Sequence, residues 1–223
     1  MKRIVEAYVG EYASGKSECA INRALNLLEF DEAAKPINII DFDTVEPVYT
    51  LRPIRRELIG LGLEVVAWET SETMGLGEAG SLINAEMVWA LKRPGSIILD
   101  IGYGVHGAKS LNLVEGAWRD PDLQILAVLN LGRPMTGSYQ DMLEYVQQLG
   151  PIHGLINNSH LGDDTDLAFI QEGAETVAKV GEALQIPVVA TVADERFRSE
   201  LGSVDKLGHP IRYLKRFMPR AFW

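Results

Sequence analysis

Eight residues near the start of the chain, Gly10 to Ser17 (GEYASGKS), have the types and spacing to hold a phosphate chain. In the pattern G-x-x-x-x-G-K-S, Gly10 and Gly15 let the backbone turn tightly around an anion. The donors are then the backbone N–H groups of Glu11, Ala13, Ser14, Gly15, Lys16, Ser17 and Glu18, at a helix N-terminus whose dipole also favours negative charge. The Lys16 ammonium would reach the β- and γ-phosphates, and the Ser17 hydroxyl would ligate Mg²⁺. The strand-like RIVEAYV precedes these residues and a helical pattern follows from Lys16. That context separates a working cradle from a tight glycine turn with an exposed lysine.

Acids stand where such a cradle needs them. The apolar run SIILD ends on Asp100, and an acid at the carboxyl end of a buried strand can hold a Mg²⁺-bound water. In the IGYGVHG that follows, the amide of Gly102 or Gly104 can approach a γ-phosphate and sense its loss, or the segment is a plain glycine turn. IIDFDTVEP, closed by Pro47, sets Asp41 and Asp43 just past another strand. Two carboxylates there orient water or hold Mg²⁺ through water, although Asp41 can equally cap the next helix. Ser17, Asp43 and Asp100 are therefore the metal candidates, and Lys16, Asp43 and Asp100 the catalytic ones. Where a guanine-reading loop carries N-K-x-D, this chain has NNSH. Without the acid the segment favours adenine, and Asn157 or Asn158 either offers an amide to the base or is a turn residue. ATP with Mg²⁺ is the expected ligand pair.

These residues need a scaffold that brings strand ends together. Short β-branched runs alternate with stretches of helical spacing, which implies βαβ units and a mostly parallel sheet. The expected strands are RIVEAYV, INIID, LEVVAW, SIILD, LQILAVLN, HGLINN and PVVAT, with helices starting near Lys16, Pro53, Ala79, Ala108, Tyr139 and Asp166. The first helix would put Ala20, Ala24, Leu27 and Leu28 on one face. The fold class is thus α/β, a three-layer sandwich with helices on both faces of the sheet. Glu6 interrupts an otherwise apolar strand and calls for a polar partner.

Composition narrows the class further. The 223 residues are 47% hydrophobic and carry a net charge of −10, enough chain for one nucleotide-binding domain over 1–223. The charge disfavours broad nucleic-acid binding. No apolar run approaches the roughly 18 residues that span a bilayer, and the N-terminus lacks a signal-peptide pattern, so a cytoplasmic protein is expected. The one cysteine, Cys19, forms no internal disulfide and reads as packing. His106, His153, His160 and His209 lack metal-ligand spacing, and no G-x-S-x-G appears.

With the phosphate loop, DFD and LDIGYG in that order, the chain resembles the SIMIBI class of P-loop NTPases, and within it the MinD/ParA/CooC-like group. IIDFDTVEP, ILDIGYGVHGAKSL, VLNLGRPMTGSYQDMLEYVQQLG and HGLINNSH are similar to that group's successive segments and extend the likeness over most of residues 1–192. The resemblance implies phosphate contacts from Gly15, Lys16 and Ser17, positioning of Mg²⁺ or water by Asp43 and Asp100, and base contact near Asn157 and Asn158. It also implies a slow ATPase acting as a nucleotide-driven switch, with a homodimer and a client protein as partners. The chain departs from the group at Glu11, where a lysine usually reaches the partner's nucleotide; Arg52 and Arg133 are substitute cations or solvated surface residues. A P-loop transferase or ligase, with ETSETMGLGEAGS forming an acceptor pocket, and a binding module without turnover are the alternatives. The basic tail 206–223 has five Lys or Arg and no acid. A helix from Pro210 would align Ile211, Leu214, Phe217 and Met218 for contact with a membrane, a partner or its own domain.

Overall fold

In the computed structural model, residues 3–43, 51–68 and 83–218 are described. The strands are β1 (Val5–Gly10), β2 (Ile37–Phe42), β3 (Glu64–Val66), β4 (Ser96–Ile101), β5 (Leu123–Leu129), β6 (Gly154–Asn157), β7 (Val188–Asp194) and β8 (Ile211–Leu214). They form a single sheet in the order β3-β2-β4-β1-β5-β6-β7-β8. Every pairing is parallel, so all strands deliver their carboxyl ends to one edge. The order reverses around β1, which lies between β4 and β5, and ligands of open α/β sheets bind at such a switch point.

Strand alternation sorts side chains into two layers. Val5, Ala7 and Val9 of β1, with Ile97, Leu99 and Ile101 of β4, share a core with Met87, Ala108, Met142, Val146, Val177 and Val180. The last six belong to α3 (Ala85–Val88), α4 (Gly104–Ala108), α5 (Tyr139–Leu149) and α6 (Leu167–Leu184). On the opposite face Tyr8, Ile98, Leu126 and Val192 meet Cys19, Ala20, Ile21, Ala24 and Leu27 of α1 (Lys16–Phe30) and Leu58 of α2 (Arg55–Gly60). This is the three-layer sandwich the alternating pattern implies. The short helix α7 (Arg198–Leu201) follows β7.

Glu6 has its partner. It is buried on the α1 face, accepts hydrogen bonds from Arg23 Nε and Nη2 at 3.0–3.2 Å, and accepts the Tyr8 hydroxyl at 2.8 Å. A charge inside the sheet layer is tolerated because it is paired and hydrogen-bonded. Cys19 is buried in the same layer, where burial pushes its thiol pKa up, as expected of an inert packing residue.

Three expectations need correction or fall elsewhere. The helix expected near Ala108 begins at Gly104 and gives way to a 3-10 segment at Lys109–Leu113. The tail helix from Pro210 does not form. Residues Ile211–Leu214 are instead an edge strand paired with Thr191–Asp194, since Pro210 favours extended backbone and Leu214 and Phe217 are worth more in the core than on an exposed face. Pro47, the helix near Ala79 and ETSETMGLGEAGS lie outside the described residues.

Candidate functional site

The loop between β1 and α1 is tightly constrained. Gly15 has φ 88, and a Cβ there would lie 2.1 Å from Asn158 Nδ2, so neither the backbone nor the space admits another residue. Ala13 is also left-handed at φ 52, a strained state for alanine. Together the two fold the loop back on itself, closed by the Ser14 N–H donating to Glu11 O at 3.2 Å. At Gly10 a Cβ would press on Val128 O at 2.5 Å, which keeps the loop seated against β5.

Helix α1 has no side-chain N-cap, whereas Ser138 caps α5 and Asp166 caps α6. Its first N–H donors are therefore left to a ligand. Lys16 and Ser17 open that helix and line a cavity of about 400 Å³, within the usual range for small-molecule sites. Lys16 is only 7% exposed; burial lowers its pKa, and Asp100 and Asp43 oppose the shift by favouring the ammonium form.

Asp100 stands at the end of β4 beside β1 and is 1% exposed. Neither of its carboxylate oxygens has a well-formed hydrogen bond among the described residues. Burial pushes its pKa up to about 7, against the pull of the Lys16 charge and the Ser17 hydroxyl. A buried, unsatisfied carboxylate next to a hydroxyl and near Asp43 fits a divalent cation that arrives with its own phosphates and waters. Among the described residues no group of three His, Cys, Asp or Glu forms a metal cage, and Mg²⁺ does not require one.

The cavity wall brings together Ala13, Gly15, Lys16, Ser17, Glu18, Asp43 and Asn158. Gly10, Glu11, Ser14, Asp100, Gly102 and Asn157 lie off it. Asn157 is fully buried; its Nδ2 donates to Ile170 O and Thr191 Oγ1, and its Oδ1 accepts from Ser159. Its amide is thus spent inside the fold. Asn158 faces the cavity but ties Nδ2 to Ser14 O at 2.8 Å, bracing the loop. Gly102 packs its carbonyl against Gly107, leaving Tyr103 as the wall residue of that segment, edge-on to Tyr12 at 5.3 Å.

Glu11 is not on the cavity wall. Its carboxylate accepts the Met135 N–H at 3.1–3.2 Å and lies 3.4 Å from the Thr136 hydroxyl, fastening the loop to the turn Pro134–Thr136. Arg52 is neither a surface residue nor a spare cation: it is buried and paired with Asp41 at 3.6 Å. Asp41 Oδ1 also accepts the Asp43 N–H, so Asp41 positions Asp43. Arg133 does reach the cavity wall, and its buried Nε has no hydrogen-bond partner.

Several wall residues escaped the motif reading. His160 is neutral, its pKa held down to about 4 by burial and by Arg133 and Arg216. Its Nδ1 accepts the Gly162 N–H at 3.3 Å, which puts the proton on Nε2. Asp163, Asp194 and Arg216 form a charged group on the same wall, with Arg216 Nη1 2.7 Å from Asp163 and Nε 4.0 Å from Asp194.

No protein-family model and no curated protein sequence matches the chain. Solved structures do. The cell division protein FtsY of Thermotoga maritima superposes with a TM-score of 0.52 at 15% identity, over 99% of this chain and 67% of its own. The signal recognition particle receptor FtsY of Elizabethkingia anophelis gives 0.52 at 16%, over 100% and 66%. A third, FlhF complexed with GTP and Mg²⁺, gives 0.51 at 14%, over 84% and 64%. The likeness shows a shared three-layer α/β P-loop NTPase fold. These structures belong to another branch of the SIMIBI class than the MinD/ParA group that the motifs resemble. The chain spans about two thirds of the length of the proteins it matches. No helix among its described residues is long and apolar enough to cross a membrane.

Proposed function

We propose that this chain is a Mg²⁺-dependent ATP-binding switch with slow hydrolysis, working as one nucleotide-binding unit. The observation that carries the reading is the uncapped start of α1, set behind a loop with two left-handed residues and opening with Lys16 and Ser17 beside the buried Asp100. A metal–triphosphate supplies partners for the uncapped N–H groups, the Lys16 ammonium and the Asp100 carboxylate at once. Ser17 would hold Mg²⁺ directly, with Asp43 and Asp100 acting through its waters, and the ion would neutralise developing phosphate charge.

ATP is favoured over GTP by the state of the acids near the cavity. Asp163 Oδ1 is paired with Arg216 and Asp194 Oδ1 accepts the Arg196 N–H, so each acid has one oxygen already committed and fewer acceptor sites for guanine's N–H donors. Slow turnover follows from Glu11, whose carboxylate fastens a turn where a cation would assist transfer. Arg133 and Arg216 are further cations on the wall beside Lys16. A homodimer and a client protein complete the reading as partners.

Incubation with Mg-ATP, followed by product analysis with and without candidate small acceptors, tests it. The switch releases free phosphate alone and slowly. A phosphorylated acceptor would replace the switch by a transferase, and no product despite tight binding would leave a module without turnover.

A further inference from the structure

The phosphate cradle does not account for the whole cavity wall. That wall also includes Ile170, Val192, Leu214 and Met218, apolar side chains for which a phosphate chain has no use. Two of these come from the segment that begins in β8 and leaves the sheet after Leu214. That segment is not lying loosely on the surface. Glu18 and Asn22, one helical turn apart on α1, both bind its backbone. The Asn22 amide donates to Lys215 O and accepts the Lys215 N–H, each at 2.9 Å. The Glu18 carboxylate accepts the N–H groups of Phe217 at 2.8 and 3.0 Å and Met218 at 2.8 Å. Charge-assisted bonds of this kind are stronger than neutral ones, and Phe217 adds a buried anchor in the core.

We propose that residues Leu214–Met218 form the nucleoside wall of the site, with the base packed against Leu214 and Met218 and its polar edge facing Arg216. This rests on the nucleotide reading above and assigns the ligand's apolar half. Arg216 is fixed for the task by Asp163 and, more distantly, Asp194, and it offers donors only, suiting the ring-nitrogen acceptors of a purine. Glu18 is a positioning residue. It belongs to the first turn of the helix that carries Lys16 and Ser17, so phosphate end and nucleoside wall are joined through one rigid element.

Calorimetric titration of the full chain with Mg-ATP and with inorganic tripolyphosphate plus Mg²⁺ tests the assignment. Met218→Ala and Arg216→Ala should each weaken ATP roughly three- to tenfold, the scale of a lost apolar contact or hydrogen bond, with tripolyphosphate affinity unchanged. Glu18→Ala should act in the same selective way and Glu18→Gln, which keeps an acceptor, should recover most of the loss. Thermal melts accompany each variant to show that it is folded. Wild-type ATP affinity in all three alanine variants, with Lys16→Ala still defective, would overturn the nucleoside wall and leave the nucleotide reading standing. Equal losses for ATP and tripolyphosphate would also overturn it, because the segment would then act through the loop. Wild-type protein that binds neither probe would remove both.

Discussion

Replacing Glu11 by alanine should destabilise the ligand-free protein, and the structure sets the size of the effect. Glu11 is 9% exposed, and both of its oxygens receive the Met135 N–H. The Thr136 contact at 3.4 Å adds little, since that hydroxyl already donates to Asn130 O at 2.6 Å. A hydrogen bond to a charged group contributes about 1.5–3 kcal/mol, and the exposure of the Met135 side chain gives water a route to the freed N–H, which places the cost near the lower end. For a domain of this size about 1.5 kcal/mol corresponds to a melting point lower by roughly 3–6 °C. Glu11→Gln keeps an acceptor and should lose about half as much, while Glu11→Lys sets an ammonium against a donor and should lose more than alanine. Circular-dichroism melts without nucleotide measure all three. If Glu11→Ala and Glu11→Lys both melt within about 1 °C of wild type, the carboxylate is not fastening the loop and its replacement of a cation needs another reason.

Lys16→Ala should weaken triphosphate binding roughly ten- to hundredfold with the fold intact, by loss of a buried charge-assisted contact; unchanged affinity by titration would end the phosphate-cradle reading. Asp100→Asn should lower the Mg²⁺ dependence of binding in a metal titration yet stabilise the ligand-free protein at pH 8. A carboxyl whose folded pKa is about 7 against an ordinary 3.8 keeps its proton longer in the folded state, so its contribution to stability falls as pH rises across that window, and asparagine escapes the loss. ATP should outcompete GTP, and GTP binding tenfold or more tightly in a competition assay would mean that the paired acids do read the base. His160 titrates at about 4 in the fold instead of 6.5, so the unfolded chain takes up a proton first and stability should drop by on the order of 3 kcal/mol as pH falls from 6.5 to 4; His160→Gln should flatten that part of the profile in pH-dependent melts.

Features set by neighbours in sequence were legible in it. The glycine-bearing loop between β1 and α1, the position of Asp43 just past β2 and of Asp100 near the end of β4, and the need of Glu6 for a partner all follow from local pattern. What depended on distant residues was not. Ile211–Leu214 is too short for its alternation to stand out, and the apolar spacing that continues to Phe217 and Met218 imitates a helix; Pro210, with its preference for extended backbone, was the available signal. Asn157 and Asn158 are adjacent and chemically identical, and only the packing of α6 and β7 commits the first to Ile170 and Thr191 while the second faces the loop. Glu11 read as a missing cation because its partner Met135 lies 124 positions away. Arg52 read as a surface residue because nothing local announces its pairing with Asp41.

The bonds from Glu18 to Phe217 and Met218 span 199 and 200 positions. A ribosome delivers the chain N-terminus first, so α1 and the strands around β1 emerge long before the residues that complete the cavity wall. Throughout that interval Glu18 has no segment to hold. On the proposed function, the phosphate end of the site forms in a nascent chain well before its nucleoside wall, and tight nucleotide binding waits for the synthesis of residues 214–218.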